Sequence, residues 1–180
     1  MRYRQIRSMD ISNGGGIGIA LFVQGCSFHC KGCFNKETWD FDSGNLWTKE
    51  SKESFMGLAD KEYIHRISIL GGEPLHPHNI AAIYNLCYSI KERYPQKLIW
   101  LYTGYTFENI LSQADKEKPR LDDFLRKSIL SYIDILVDGQ FIEELKNRTL
   151  AFRGSSNQRI IDVRKTLEKN EMVLYERGRR

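Results

Sequence analysis

The chain has 180 residues, of which 41% are hydrophobic and 28% charged, and its formal net charge is +4. These ordinary globular values exclude a disordered, collagen-like or low-complexity chain, and we expect no nucleic-acid partner because a dense basic face is missing. No apolar run approaches the about 18 residues of a membrane span, and the N-terminus lacks the apolar stretch of a signal peptide. We therefore expect a cytoplasmic protein without a membrane partner.

Strands and helices alternate along the chain. In order, the pattern predicts strand 17–24, helix 49–59, strand 65–70, a helix from Asn79 to Pro95, strand 97–102, a helix that begins near Asp122, strand 133–137 and strand 159–163. The helix after Asn79, which is expected to be its N-cap, carries Cys87 on its apolar face. The helix near Asp122 is expected to present Phe124, Leu125 and Ile129 to the core.

The predicted strands are continuously apolar, as expected when both faces of a sheet are covered. Together with the alternation of strands and helices, this predicts an α/β fold with a mostly parallel sheet of about five to six strands. The strands are too few for a closed eight-stranded barrel, so an open or partial β/α barrel is the expected architecture. We expect residues 1–163 to form one domain, followed by an extension over residues 164–180 to which the sequence assigns no role.

Four predicted strands end in loops that are rich in glycine and polar residues. These loops contain Gly25-Cys26, Gly71-Gly72-Glu73-Pro74, Thr103-Gly104-Tyr105 and Asp138-Gly139-Gln140-Phe141. Because the carboxyl ends of parallel strands lie on one side of the sheet and bind ligands there, we expect the four loops to form one site. The alternative is that the glycines only form tight turns, and an ordinary β-turn stays open for Asp138-Gly139.

Three of the four cysteines, Cys26, Cys30 and Cys33, lie within eight residues in the pattern Cys-x3-Cys-x2-Cys. Three thiolates on one loop can bind three irons of a 4Fe–4S cluster, and without a fourth cysteine nearby one iron stays open for a ligand. The alternatives are free thiols or a structural zinc site completed by His29 or Cys87. Zinc sites usually add a second ligand pair well downstream, which this sequence lacks, and Cys87 is expected to be a buried, inert thiol.

Several segments together carry a resemblance to a known family: residues 10–14, 21–26, 32–39, 71–77, 100–105, 137–139 and 153–158. The cysteine pattern alone resembles the radical S-adenosylmethionine superfamily. The Arg-Gly-Ser-Ser-Asn-Gln segment at 153–158 and the compact length resemble the anaerobic ribonucleoside-triphosphate reductase-activating proteins. One departure concerns residues 13–18, where the family usually reads Asn-Gly-Pro-Gly-x-Arg and Gly18 takes the place of the arginine.

The resemblance implies a radical S-adenosylmethionine domain that activates another protein. In the family, a reduced 4Fe–4S cluster on the three cysteines cleaves S-adenosylmethionine to methionine and a 5′-deoxyadenosyl radical. The radical then removes a hydrogen from a glycine near the C-terminus of the large subunit of the anaerobic (class III) ribonucleotide reductase. The resemblance also implies a flavodoxin or ferredoxin-type electron donor, and it leaves a homodimer open.

The same resemblance implies a set of residues that bind S-adenosylmethionine: Gly32, Cys33, Phe34, Gly71, Gly72, Glu73, Thr103 and Asp138. Gly71 and Gly72 would let the backbone approach the ligand, because they have no Cβ. Glu73 would accept a charge-assisted hydrogen bond from the ammonium group. The backbone at residues 32–34 and the Phe34 ring would hold the adenine.

Three other functions stay open on the sequence. One is activation of a different glycyl-radical enzyme such as pyruvate formate-lyase, although those activators are generally longer and the segment at 153–158 argues against it. Another is a radical enzyme that acts on a small molecule, for example in deazapurine synthesis. The third is not an enzyme but an iron–sulfur or zinc module for electron transfer or assembly.

Overall fold

The computed structural model describes residues 1–176 and contains one open, seven-stranded mixed sheet. Its strands are β1 (Arg2–Asp10), β2 (Gly18–Val23), β3 (Asn45–Leu46), β4 (Arg66–Gly71), β5 (Leu98–Tyr102), β6 (Ile135–Asp138) and β7 (Arg159–Asp162). They are arranged in the order β3-β1-β2-β4-β5-β6-β7. The predicted α/β fold with an open sheet is confirmed.

Only the centre of the sheet is parallel. Strands β2, β4, β5 and β6 run parallel, whereas β1, β3 and β7 pair antiparallel at the two sides. The prediction of about five to six strands was therefore too low, since the structure has seven. Strand β1 escaped prediction because it carries few apolar residues and most of its side chains are exposed or half-buried.

Five α-helices lie between or after the strands: α1 (Lys49–Ala59), α2 (Ile80–Arg93), α3 (Phe107–Ala114), α4 (Leu121–Ile129) and α5 (Val163–Lys169). Short 3-10 helices cover Lys36–Thr38 and Glu143–Leu145. Helix α3 was not predicted; Thr106 caps it by accepting a hydrogen bond from the Asn109 N–H at 3.2 Å. None of the helices described is long and apolar enough to cross a membrane.

The two faces of the sheet have different coverings. Alternate residues of the strands, including Leu21, Ile69 and Leu101, pack with α1 to α4 in the main core. The opposite face carries Phe22, Leu70, Tyr102, Trp100 and Val137 in two smaller apolar clusters. Both faces are thus apolar, which explains the continuous apolar runs in the sequence. Only the face without helices is free to line a site.

Two details of the predicted helices were wrong. Phe124 is 59% exposed, because α4 buries Asp123, Arg126 and Ile129 instead. Arg126 can face inward since its guanidinium is bound by Asp123 at 2.6 Å and donates to the Leu75 carbonyl at 2.8 Å. Asn79 stands at the N-terminus of α2 but makes no side-chain cap.

The residues after β7 continue the fold. Helix α5 begins after Asp162, which accepts a hydrogen bond from the Lys165 N–H at 3.1 Å. The chain then returns along β7, where Tyr175 N–H donates to the Ile160 carbonyl at 2.8 Å. The Tyr175 ring packs edge-on against Trp100, with ring centroids 5.2 Å apart. Most of the expected extension therefore covers the sheet, and residues 177–180 lie outside the described residues.

Candidate functional site

A cavity of about 570 Å³ lies where the parallel strands end. It is lined by residues of all four expected loops and by residues of the sheet face that carries no helix. Among the expected site residues, its lining includes Cys26, Cys30, Cys33, Phe34, Gly71, Gly72, Glu73 and Thr103. Its volume suits a cofactor-sized ligand, since such pockets usually measure about 300–1,000 Å³.

Backbone hydrogen bonds fix the start of the cysteine loop, which contains residues 25–33. Gly25 N–H donates to the Thr38 carbonyl at 2.8 Å, and Cys26 N–H donates to the Trp39 carbonyl at 3.0 Å. Gly25 has a φ of +93°, and a Cβ there would lie 2.1 Å from the Phe41 ring, so the loop turns only with glycine at this position. The loop therefore leaves β2 in a defined direction that carries its thiols to the cavity.

The three thiols of this loop are free, with Cys26 buried and Cys30 and Cys33 half-buried. Burial raises the pKa of Cys26 to about 11, and it also raises the pKa of Cys30; the nearby charge of Glu73 adds to both effects. Without a bound cation the two thiols are thus protonated near neutral pH, and a metal must displace their protons.

The donor set fits an iron–sulfur cluster. No three His, Cys, Asp or Glu side chains within residues 1–176 are grouped as the ligands of one metal ion. A cubane cluster binds each thiolate to a different iron, so its three ligands need not converge on one point. Three soft thiols that form no disulfide lie on the wall of one cavity and provide such ligands. Cys87 lies apart from them, fully buried in the helical core as predicted.

Glu73 is held in one orientation at the cavity wall. Its Oε1 accepts hydrogen bonds at 2.8 Å from the Leu75 N–H and the Thr103 hydroxyl, and its Oε2 accepts one at 2.8 Å from the Gly104 N–H. Burial raises the pKa of this carboxyl to about 7. A carboxylate can accept about four hydrogen bonds, so one further donor can be accommodated. A cationic donor would also favour the ionised form.

Gly71 and Gly72 allow two loops to pack closely. A Cβ on Gly72 would lie 2.5 Å from the Gly25 carbonyl oxygen, and one on Gly71 would lie 2.8 Å from the Val23 backbone. Glu73 N–H donates to that same Gly25 carbonyl at 2.9 Å. The two glycines therefore bring the Glu73 loop against the cysteine loop, which joins the carboxylate and the thiols in one site.

Asn79 reinforces this junction. Its side-chain amide donates at 3.0 Å to the Gln24 carbonyl and at 3.0 Å to the Glu73 carbonyl. The predicted helix cap is thus replaced by a link between the end of β2 and the Glu73 loop.

Two of the residues expected to bind the cofactor, Asp138 and Gly32, do not line the cavity. The Asp138 carboxylate is buried and accepts hydrogen bonds from the Phe107 N–H at 2.8 Å and the Arg159 Nε at 3.0 Å. These contacts join Asp138 to the start of α3 and to Arg159 of β7. The cavity is lined instead by the residues that follow Asp138, from Gly139 to Phe141. Gly32 belongs to the cysteine loop but does not line the cavity, and a Cβ there would lie 2.6 Å from the Glu143 carboxylate.

Part of the cavity is formed by the sheet itself, which the strand-end loops alone did not predict. Phe22, Leu70 and Tyr102, here called the sheet floor, line the cavity from within their strands. Arg7, Ser12, Asn13, Phe152 and Arg153 also contribute to the wall. Strand alternation was the available signal, because Leu101 faces the helices and Tyr102 must then face the other way.

Comparison with known proteins gives consistent matches over nearly the whole chain. Residues 12–161 match a family model described as a 4Fe-4S single cluster domain. A relative from Vibrio cholerae named anaerobic ribonucleoside-triphosphate reductase-activating protein is 41% identical over 160 residues, 88% of this chain and 96% of the relative. Relatives with the same name occur in Salmonella typhi, 40% identical over 91% of this chain and 100% of the relative, and in phage T4, 37% identical over 89% and 93%.

Proposed function

The chain belongs to the family of anaerobic ribonucleoside-triphosphate reductase-activating proteins, and on that premise we propose that it is a radical S-adenosylmethionine activase. Its substrate would be the large subunit of the anaerobic ribonucleotide reductase, on which it generates a glycyl radical. A flavodoxin or ferredoxin-type protein would supply the electron. The open sheet would be the partial β/α barrel of the superfamily.

One observation carries this proposal: three free thiols and a buried carboxylate line the same cavity. Cys26, Cys30 and Cys33 would hold a single 4Fe–4S cluster. When bound, the reduced cluster and S-adenosylmethionine supply the electron transfer and carbon–sulfur cleavage by which a hydrogen is finally taken from glycine. The protein's own contribution is then to position these groups and to balance their charge.

Glu73 would bind the ammonium group of S-adenosylmethionine. It lies on the cavity wall with one acceptor position left, and its charge is unfavourable in the empty cavity because of burial. An ammonium donor provides both the missing hydrogen bond and the compensating charge. Thr103 takes part indirectly, since its hydroxyl donates to Glu73 and fixes the carboxylate.

The adenine would be held beside the third cysteine. Phe34 is 61% exposed at the cavity, where its ring packs edge-on against Phe141 with centroids 5.3 Å apart. Two adjacent rings on the cavity wall offer an apolar surface for a heteroaromatic base. The backbone of Gly32 and Cys33 would contribute polar contacts, whereas Asp138 would act only by supporting the neighbouring loop.

The decisive experiment is the transfer of the radical. The anaerobically reconstituted protein is mixed with the reductase, reductant and S-adenosylmethionine. A protein-bound doublet is expected in electron paramagnetic resonance, together with methionine and 5′-deoxyadenosine. The doublet should collapse when the reductase glycine carries deuterium at Cα, because the α-hydrogen causes the splitting. Cofactor cleavage with a radical on another glycyl-radical enzyme, but none on the reductase, would contradict the proposal.

A further inference from the structure

Arg126 of α4 is a buried cation that does not line the cavity. Its side chain is 7% exposed, and its guanidinium is bound on several sides. Nη1 lies 2.6 Å from the Asp123 carboxylate and Nη2 lies 3.2 Å from the Asp122 carboxylate, while Nε donates to the Leu75 carbonyl at 2.8 Å. The two carboxylates balance the charge that burial would otherwise disfavour. The third contact joins α4 to the loop that contains Glu73.

The flat face of the same guanidinium lies over the ring of Tyr105, with the guanidinium carbon 4.8 Å from the ring centroid. A cation over an aromatic face is attracted by the ring electrons. Tyr105 belongs to the loop after β5, and its N–H donates to the Thr103 hydroxyl oxygen at 3.1 Å. Arg126 therefore contacts two loops at once, the loop after β4 through Leu75 and the loop after β5 through Tyr105.

These two loops hold the Glu73 carboxylate. Among the described residues it accepts three hydrogen bonds, all at 2.8 Å, from the Leu75 N–H, the Thr103 hydroxyl and the Gly104 N–H. Leu75 is thus held at both of its backbone groups, since its N–H is bound by Glu73 and its carbonyl by Arg126. A hydrogen bond weakens steeply when its geometry is lost, so a shift of either loop would change the direction of the carboxylate.

We propose that Arg126 is a positioning residue for S-adenosylmethionine, because it clamps the two loops that orient the Glu73 carboxylate toward the ammonium group; this inference rests on the proposed function. Glu73 lies on the cavity wall, whereas Arg126 and Tyr105 line a separate cleft. Arg126 thus acts through Glu73 and does not touch the cofactor. A planar guanidinium bonds to Leu75 and Asp123 through its edge while it stacks on Tyr105, which the single ammonium of lysine cannot do.

The test measures the Kd of S-adenosylmethionine by anaerobic calorimetry on the reconstituted protein. Arg126→Met keeps the aliphatic stem, and Arg126→Lys keeps the charge. Both variants should raise the Kd about 10-fold, as for outer partners that orient metal ligands. The iron and sulfide content should not change. Full affinity in Arg126→Lys would show that the charge alone suffices and would overturn the inference, as would an unchanged Kd in both variants.

Lys91→Met is the matched control. Lys91 of α2 lies 2.7 Å from the Asp134 carboxylate and donates to the Lys97 carbonyl at 2.9 Å, so it likewise joins a carboxylate and a carbonyl. None of these three residues lines the cavity. Lys91→Met should lower the unfolding temperature and leave the Kd of S-adenosylmethionine unchanged. An equal rise of the Kd in Lys91→Met and in the Arg126 variants would reduce the role of Arg126 to general stability.

A double variant tests whether Arg126 acts through Glu73. Independent changes multiply to within about 2-fold, so an independent Arg126→Lys would still raise the Kd about 10-fold in the presence of Glu73→Gln. We expect a further rise of less than about 2-fold, because the carboxylate that Arg126 positions is then absent. This cycle uses Arg126→Lys, so it does not depend on the folding of Arg126→Met. A retained 10-fold rise would contradict the inference.

The results that overturn this inference leave the proposed function standing, provided that the wild-type protein binds S-adenosylmethionine and forms the glycyl radical. A wild-type protein that binds no S-adenosylmethionine would overturn the proposed function and this inference with it.

Discussion

Arg66 of β4 and Asp10 at the end of β1 form a buried ion pair. Nη2 of Arg66 lies 3.1 Å from Oδ2 of Asp10, and the two side chains are 0% and 1% exposed. The guanidinium also donates to the Asn13 carbonyl at 2.8 Å and to the Asp10 carbonyl at 2.7 Å. The pair therefore fixes the loop between β1 and β2, which provides Ser12 and Asn13 to the cavity wall.

Arg66 also leaves no room for a side chain at Gly18. The two residues are register partners on the parallel strands β2 and β4. A Cβ on Gly18 would lie 2.6 Å from the Arg66 carbonyl oxygen and 2.9 Å from its guanidinium carbon. In this chain the guanidinium beneath the loop comes from β4, and it occupies the space that a side chain at position 18 would need.

Asp10→Asn should destabilise the protein by about 3–5 kcal/mol, because it leaves the buried Arg66 charge without its counterion. The free energy of unfolding is measured by chemical denaturation at pH 7. The control is Glu53→Gln, which breaks an ion pair with Arg93 whose side chains are 57% and 53% exposed. An exposed pair contributes at most about 1 kcal/mol. Similar losses in the two variants would contradict the structural role of the buried pair.

Removal of any one of Cys26, Cys30 and Cys33 should abolish the cluster, whereas Cys87→Ala should retain it. The first three thiols line the cavity, but Cys87 is enclosed by the helical core. Iron and sulfide are counted in anaerobically purified single Cys→Ala variants. If Cys87→Ala loses iron as completely as Cys30→Ala does, the ligand assignment is wrong.

Glu73→Gln should weaken S-adenosylmethionine binding about 10- to 150-fold, since a hydrogen bond to a charged group contributes about 1.5–3 kcal/mol. The cluster content should not change, because Glu73 is not proposed as a ligand. Affinity is measured by anaerobic calorimetry. Glu37→Gln is the control, since Glu37 is an exposed glutamate of the same region. Equal affinities of Glu73→Gln and wild type would remove Glu73 from the cofactor site.

The cluster-free protein should lose stability as the pH rises through the titration of Glu73. Burial raises the pKa of Glu73 in the folded state from 4.5 to about 7, so folding favours its protonated form. The contribution is complete below pH 4.5 and is lost as the pH rises to about 7. Its size is on the order of 3 kcal/mol.

The measurement for this titration is the free energy of unfolding of wild type and Glu73→Gln across the same pH range. The difference in the free energy of unfolding between the two proteins should change between pH 4.5 and about 7 and stay constant above pH 7. A constant difference over the whole range would show that Glu73 does not titrate with a raised pKa.

The site was predictable where its geometry is local. Cys26, Cys30 and Cys33 share one short loop, so their spacing alone predicted that they lie at one site, and all three line the same cavity. Strand ends were predictable for a related reason, because apolar runs such as residues 65–70 mark buried strands and parallel strands end on one side. From these rules the sequence predicted that the loops with Glu73 and Thr103 lie beside the cysteines, and the three segments line one cavity.

What only the tertiary structure decided is which partner each polar side chain takes. Asp138 faces the start of α3 and Arg159, 31 and 21 residues away in the chain, and so is not on the cavity wall. Arg66 reaches Asp10 across 56 residues, and Asn79 reaches Gln24 across 55. Such pairs depend on strand register and loop packing, which satisfy a buried polar group wherever a partner comes within hydrogen-bond distance.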